Sequence, residues 1–347
     1  MSIITEKYYR GINLGGWLSQ IKVKSENHYN TFITENDIKA ISEAGFDHVR
    51  VPFDYDLLEK DDCPYCYSKL GLGYIKQLLK WCAGYELNVI LDLHKAPGYS
   101  FDTLGDNQLF IDEKLQDRAV GLWSFLAEEF REYDDCLVFE LLNEIVEPDS
   151  SRWNLLARKM IKAIRKIDKN RYIIVGGNSY NSASELMNLD LPEDKRLIYT
   201  FHFYEPFFIT HQKAYWSERM VEYNKNLEYP GKYIELEPFI KKHPEYDSMT
   251  HLLHEELDLV AMTKYLMPAI EFLEKKQVPL YCGEFGVIAL ASMETRENWH
   301  RDFMGLLSKY AIGSAVWSYK KMDFELFEDC KAISQELVEI VSSKSVL

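Results

Sequence analysis

Residues 137–144 read L-V-F-E-L-L-N-E. The first six are mostly branched or aromatic, as in a strand buried on both faces, and the run then stops on an amide beside a carboxylate, Asn143 and Glu144. Working outward from this run, similar apolar stretches recur at residues 10–17, 48–55, 88–95, 171–178, 197–204, 280–287 and 312–320. Helical patterns lie between them at 35–44, 71–85, 113–131, 151–167, 257–276 and 295–310, with a short one at 182–189 and a closing one at 334–343. Eight near-continuous apolar strands, each followed by a helix, predict an α/β fold of the closed parallel (β/α)8 TIM-barrel kind, in which both strand faces are covered. An open doubly wound sheet is the competing arrangement, but G-I-N-L-G-G-W at the first strand is a poor match to a G-x-G-x-x-G phosphate loop.

The chain has 347 residues, of which 47% are hydrophobic and 14% aromatic. That is enough for a large core, and a barrel of this length is expected as one domain over 1–347. The formal net charge of −15 would repel a polyanion, so no nucleic acid partner is expected. Neutral substrates suit the field better, and 23 tyrosines, 18 phenylalanines and 7 tryptophans offer faces on which sugars could stack. No stretch reaches membrane-spanning length, so no membrane partner is expected either. Residues 1–10 hold Glu6, Lys7 and Arg10 but no apolar run of signal-peptide length, and the cellular compartment stays open. A monomer is expected. Six cysteines in so long a chain imply no disulfide framework, and Cys63 and Cys66, in C-P-Y-C, read as plain loop thiols.

One connection is out of scale. About fifty residues separate the sixth strand from the next long helix, well beyond an ordinary βα loop. The stretch 205–256 is rich in aromatics, Phe207, Phe208, Trp216, Tyr223 and Tyr246 among them, which argues against disorder. It reads as a small subdomain inserted after strand six, either covering the cleft or acting as a structural cap.

In a parallel barrel the reacting groups gather where the strands end, so the polar residues closing the apolar runs form the candidate set. Arg50 lies in the second strand, His94 ends the third, Asn143 and Glu144 the fourth, Asn178 the fifth, and His202 and Tyr204 the sixth. The seventh, L-Y-C-G-E-F-G-V, carries Glu284, and the eighth carries Trp317. Two glutamates at two strand ends suggest a two-carboxylate hydrolase. His94, His202 and the glutamates could also ligate a metal, but no H-x-H or H-E-x-x-H spacing supports it, and no metal or cofactor is expected. Glu140 shares parity with Glu144 but lies four residues earlier, roughly 13 Å deeper in an extended strand, and reads as a structural carboxylate.

R-G-I-N-L-G-G-W, H-V-R-V-P-F, D-L-H, L-L-N-E, H-F-Y, Y-C-G-E-F-G and the Trp317 segment, in this order over nearly the whole chain, resemble glycoside hydrolase family 5, the cellulase family of retaining glycosidases. Within it the chain is similar to clostridial-type endoglucanases with an insertion after the sixth strand. The resemblance implies Glu144 as acid/base and Glu284 as nucleophile, held charged by Arg50 and Tyr204. It implies Asn143 on the sugar 2-hydroxyl, His94 and His202 lining the same subsite, and Trp317 as a platform. Trp17, Trp216 and Asn178 are expected at flanking subsites. Ile145 departs from the family pattern, where proline commonly follows the acid. The implied activity is an endo-β-1,4-glucanase acting on β-glucan polysaccharide or oligosaccharide. Mannanase, xyloglucanase and transglycosylase activities are alternatives on the same scaffold, and a noncatalytic glucan-binding barrel is the alternative from another class.

Overall fold

The computed structural model describes residues 2–344 apart from 104, 106, 245–249 and 251. Eight parallel strands close into a barrel in chain order: β1 (Arg10–Asn13), β2 (His48–Asp54), β3 (Asn88–Lys95), β4 (Leu137–Glu140), β5 (Ile173–Gly176), β6 (Leu197–Phe203), β7 (Leu280–Phe285) and β8 (Gly313–Val316). All the strands but β3, which matches its run, are shorter than the apolar runs that foretold them, since the chain stays buried after it leaves the ladder. Leu141, Leu142, Asn143 and Ile145 are all buried beyond the end of β4.

Several helix starts follow from capping side chains. Lys69–Gly84 begins after Ser68, which accepts from the Gly71 amide, Leu259–Lys276 after Asp258, and Met293–Lys309 after Ser292. Each cap satisfies an amide that has no partner within its own helix and moves the start by two residues from the apolar pattern. The expected helix at 182–189 is a 3₁₀ segment, Ala183–Asn188. Among the described residues no helix is long and apolar enough to cross a membrane.

Strand parity divides the barrel interior into layers. Ile90, Val138, Ile174 and Ile198 face inward at the bottom, where Ile3, Ile4 and Tyr8 of the N-terminal segment pack against them. Two residues further along β2, β3 and β4 the same inward face carries Arg50, Asp92 and Glu140, all fully buried. The barrel is therefore mostly apolar at its base, where His48 bonds the Tyr281 hydroxyl, and charged beneath its mouth.

Cys63 and Cys66 are not loop thiols. They are joined in a disulfide, their Cα atoms 5.5 Å apart. Three residues apart at a turn, they come within disulfide reach without any wider framework.

The insertion packs an apolar centre from Phe208, Met220, Tyr223, Leu227, Leu236 and Ile240. It is tied to helix Met293–Lys309 through Tyr229, whose amide donates to Thr295 and whose hydroxyl donates to Asp302. Tyr246 lies outside the described residues.

Candidate active site

A cleft of about 1170 Å³ opens at the C-terminal ends of the strands. His94, Asn143, Glu144, His202, Tyr204, Glu284 and Trp317 line it together, from five strand ends. The β6–β7 register shifts between Phe201 and His202, so that His202 pairs with Glu284 rather than with Gly283. Gly283 has no room for a side chain. A Cβ there would lie 3.0 Å from the His202 ring nitrogen and 3.1 Å from the Thr200 hydroxyl.

Arg50 does not reach the cleft but organises its floor. Its Nε and Nη2 donate to both oxygens of Glu140, at 2.7 and 2.8 Å, and Nη2 also donates to Asn143 Oδ1 at 2.9 Å. Its Nη1 donates to Asn13 Oδ1 at 3.0 Å and to Glu284 Oε1 at 2.7 Å. The Tyr204 hydroxyl donates to the other Glu284 oxygen at 3.1 Å, so both oxygens of that carboxylate are held. Glu140 is thus buried and structural, as its position in the strand implied, but it is not remote. Because its side chain points up the barrel, it shares one guanidinium with Glu284.

Glu144 sits in a different setting. Its carboxyl Oε1 lies 2.9 Å from His202 Nδ1, which in turn lies 3.7 Å from Glu284 Oε2. Its backbone adopts a φ of +26°, a left-handed value that a glutamate holds only where neighbours enforce it. Tyr99 supplies one restraint, donating from its hydroxyl to the Glu144 carbonyl at 2.6 Å and accepting from the Val146 amide at 2.9 Å. Asn178 supplies the next, its side chain bonding both the amide and the carbonyl of Glu147. The loop after Glu144 is pinned without a proline at Ile145.

Burial pushes the Glu144 carboxyl well above its ordinary range, and the nearby charge of Glu284 adds to the push. Burial also raises Glu284, but there Arg50 and its hydrogen bond pull the other way. The cation limits a rise instead of bringing the group below normal. Of the two, Glu284 gives up its proton first. Burial drives the His202 imidazole well below its usual value and His94 down to about 4, so both rings are neutral near pH 7. Burial, then the two glutamates, keep the Tyr204 phenol protonated as a donor.

The ligand atoms of Glu144, His202 and Glu284 all lie within 4.8 Å of one another. Three such groups could hold a metal ion, yet the positive charge at this place already comes from Arg50 on Glu284. The family model described as Cellulase (glycosyl hydrolase family 5) matches residues 11–323. The chain belongs to glycoside hydrolase family 5. It is 52% identical over 335 residues to Endoglucanase C of Acetivibrio thermocellus, with 96% of this chain and 98% of the relative covered. Cellodextrinase A of Ruminococcus flavefaciens is 36% identical, with 87% and 83% covered. Among solved structures, a hyperthermophilic endo-β-1,4-glucanase in complex with substrate superposes with a TM-score of 0.79 at 26% identity, 99% of each chain being covered. The chain is accordingly a glycoside hydrolase with a family 5 barrel.

Not every residue anticipated for the family 5 site lies in the cleft. Trp17 is buried and donates its indole N–H to the Tyr29 carbonyl at 2.9 Å, so it is a core residue. Asn178 is buried as the loop clamp just described and offers nothing to a flanking subsite. Trp216 does line the cleft, 47% exposed, beside Phe207, His211 and Tyr215 of the insertion's first part. Sequence reasoning passed over Asp92, Asn13 and Tyr99. Asp92 carried a legible signal, since it lies two residues before His94 and therefore on the same strand face.

Proposed function

We propose that the chain is a retaining endo-β-1,4-glucanase in which Glu284 is the nucleophile and Glu144 the acid/base. The observation that carries this reading is the close approach of the two carboxyls, whose oxygens lie within 4.8 Å. Carboxyls about 5 Å apart suit direct attack on the sugar, whereas an inverting pair needs about 6.5–9.5 Å to admit a water. The kinship with endoglucanases supports the β-glucan substrate.

In the first step a Glu284 oxygen bonds the anomeric carbon as the glycosidic C–O bond breaks, and the Glu144 proton passes to the departing oxygen. Arg50 and Tyr204 keep the attacking carboxylate in one orientation. Forming the ester removes the charge on Glu284, so Glu144 loses part of the cause of its raised pKa and can act as a base. In the second step Glu144 takes a proton from water, whose oxygen bonds the anomeric carbon while the ester bond breaks.

Asn143 accepts from Arg50 through Oδ1, which leaves its Nδ2 as the end that donates. Nδ2, His94 Nε2 and His202 Nε2 are buried polar atoms with no partner among the described residues. Sugar hydroxyls would satisfy the first two, and Asn143 would serve the 2-hydroxyl, where bonding strengthens at the transition state, whereas His202 Nε2 is turned toward Gly283. Trp317, parallel to His94 with ring centres 6.0 Å apart, would support the sugar face.

Side-by-side assays on carboxymethyl cellulose, barley β-glucan, mannan and xyloglucan test the substrate. We expect rapid viscosity loss with the first two and proton NMR showing the β anomer first. Preference for mannan would overturn the substrate class, and initial α product would overturn retention.

A further inference from the structure

The mechanism above leaves unused a buried carboxylate, Asp92, directly beneath a cleft-lining imidazole. Its Oδ2 lies 2.6 Å from His94 Nδ1 and 3.1 Å from Arg50 Nη2, while Oδ1 is buried and has no partner among the described residues. We propose that Asp92 is a positioning residue that fixes His94 in the Nδ1–H form, so that Nε2 meets the substrate as a hydrogen-bond acceptor. This rests on the functional reading given above.

A guanidinium only donates, and its charge favours the ionised carboxylate, whose oxygens only accept. The oxygen that faces Arg50 is also the one within hydrogen-bond distance of Nδ1, which makes Nδ1–H the donor that matches it. A proton on Oδ1 would point at no acceptor and would be stranded in a buried place. His94 is neutral, as shown above, so it carries one N–H, and placing it at Nδ1 leaves a lone pair on Nε2. A half-turn of the ring would keep its plane, and with it the contacts to Trp317 and Phe101, but would put Cδ2 where Nδ1 stands and lose Asp92, so the bond to Asp92 sets the ring's orientation.

The consequence concerns specificity. At this place the enzyme accepts a hydrogen bond and demands a hydroxyl that donates one. Asn143 next to it offers the opposite sense, a donor. One sugar would meet complementary partners on neighbouring positions, and an epimer that moved the donating hydroxyl would leave Nε2 unpaired.

Burial pushes the Asp92 carboxyl up to about 7 against the pull of Arg50, so its ionised form is complete on the alkaline side of that value. The test is therefore made at pH 8. Long-range nitrogen–proton NMR of the histidine-labelled full chain, with His94→Gln to assign the signal among nine histidines, reads the tautomer directly. We expect a protonated Nδ1 and an unprotonated Nε2 on His94. Asp92→Leu removes the acceptor and should mix the tautomers and lower kcat/KM on cellotetraose about tenfold, the worth of one hydrogen bond. Asp92→Asn, which can keep an oxygen toward Nδ1 and Arg50, should restore the single tautomer and most of that loss. A wild-type His94 protonated on Nε2 overturns the proposal even if the leucine variant fails to fold. A leucine variant with the wild-type tautomer and wild-type kcat/KM also overturns it. A chain that turned over no β-glucan yet showed the Nδ1–H signature would sink the functional reading and support the role given to Asp92.

Discussion

The floor of the cleft and the rim supplied by the insertion are built on opposite principles. On the floor one buried guanidinium holds Glu140, Asp92, Glu284, Asn13 and Asn143, so removing any one group leaves others uncompensated. In the insertion the interior is mostly apolar, with Phe208, Tyr223 and Phe239 meeting edge to face or tilted and Gln212 a buried exception that bonds the Leu227 backbone, and the charged groups lie mostly on its surface. Among the described residues, only its first part, around Phe207, His211, Tyr215, Trp216 and Arg219, lines the cleft. The floor can hold atoms in fixed positions because hydrogen bonds have direction, whereas the rim offers area and aromatic faces that tolerate adjustment. On the proposed reading, chemistry belongs to the first and substrate grip to the second.

The harshest test of this division is removal of the carboxyls. Glu284→Gln should reduce hydrolysis of carboxymethyl cellulose by at least about 10³-fold, and Glu144→Gln by about 10²–10⁴-fold, the usual worth of a general acid. The two should differ with a substrate whose leaving group needs no proton. Glu144→Gln should regain much of its first-step rate on dinitrophenyl cellobioside, and Glu284→Gln should not. Equal losses on both substrates would mean that the two glutamates do not have separate roles.

How much of this was legible in the sequence follows the same division. The barrel and the strand-end residues could be read because burial on both faces leaves an unbroken apolar run, and the first polar residue after it must lie at a rim. The side to which that residue turns could not. Asn178 ends its run as Asn143 does, yet it bonds backward to the Glu147 backbone, and Trp17 turns into the core. Glu140 was legible as buried but not as a partner of Arg50, since length along a strand says little about where two long side chains meet. In the insertion the aromatic content told of a packed unit, but its contacts are set by tertiary packing without a repeating period to read.

A milder change to the floor separates charge from geometry. Arg50→Lys keeps a cation but loses the fork that holds Glu140 and Glu284 together. The proposed mechanism requires Glu284 ionised and Glu144 protonated. Activity is therefore lost as pH falls through the raised pKa of Glu284, and lost again as pH rises through the still higher pKa of Glu144. With less pull on Glu284, the acid limb of kcat/KM should move to higher pH by about one unit, narrowing the bell from that side. The alkaline limb should move less, because burial comes before Glu284 among the causes that raise Glu144. An unmoved acid limb in a folded variant would show that Arg50 does not govern the nucleophile.

The smallest effects are expected at the rim, and there a pair of substitutions tells surface from scaffold. Trp216 lines the cleft and is about half exposed, so Trp216→Ala removes an aromatic face while little core is lost. A stacking contact worth about 1 kcal/mol predicts a roughly fivefold rise in KM for long oligosaccharides, with kcat and Tm nearly unchanged. Tyr229 is buried and ties the insertion to the barrel through a 2.8 Å hydrogen bond to Asp302. Tyr229→Phe should cost about 1 kcal/mol of stability, seen as a lower Tm, and leave KM where it was. If Trp216→Ala lowered Tm and left KM alone, the insertion would be a cap over the barrel and not a wall of the cleft. The contrast with the floor would then lie between two structural regions, only one of which touches substrate.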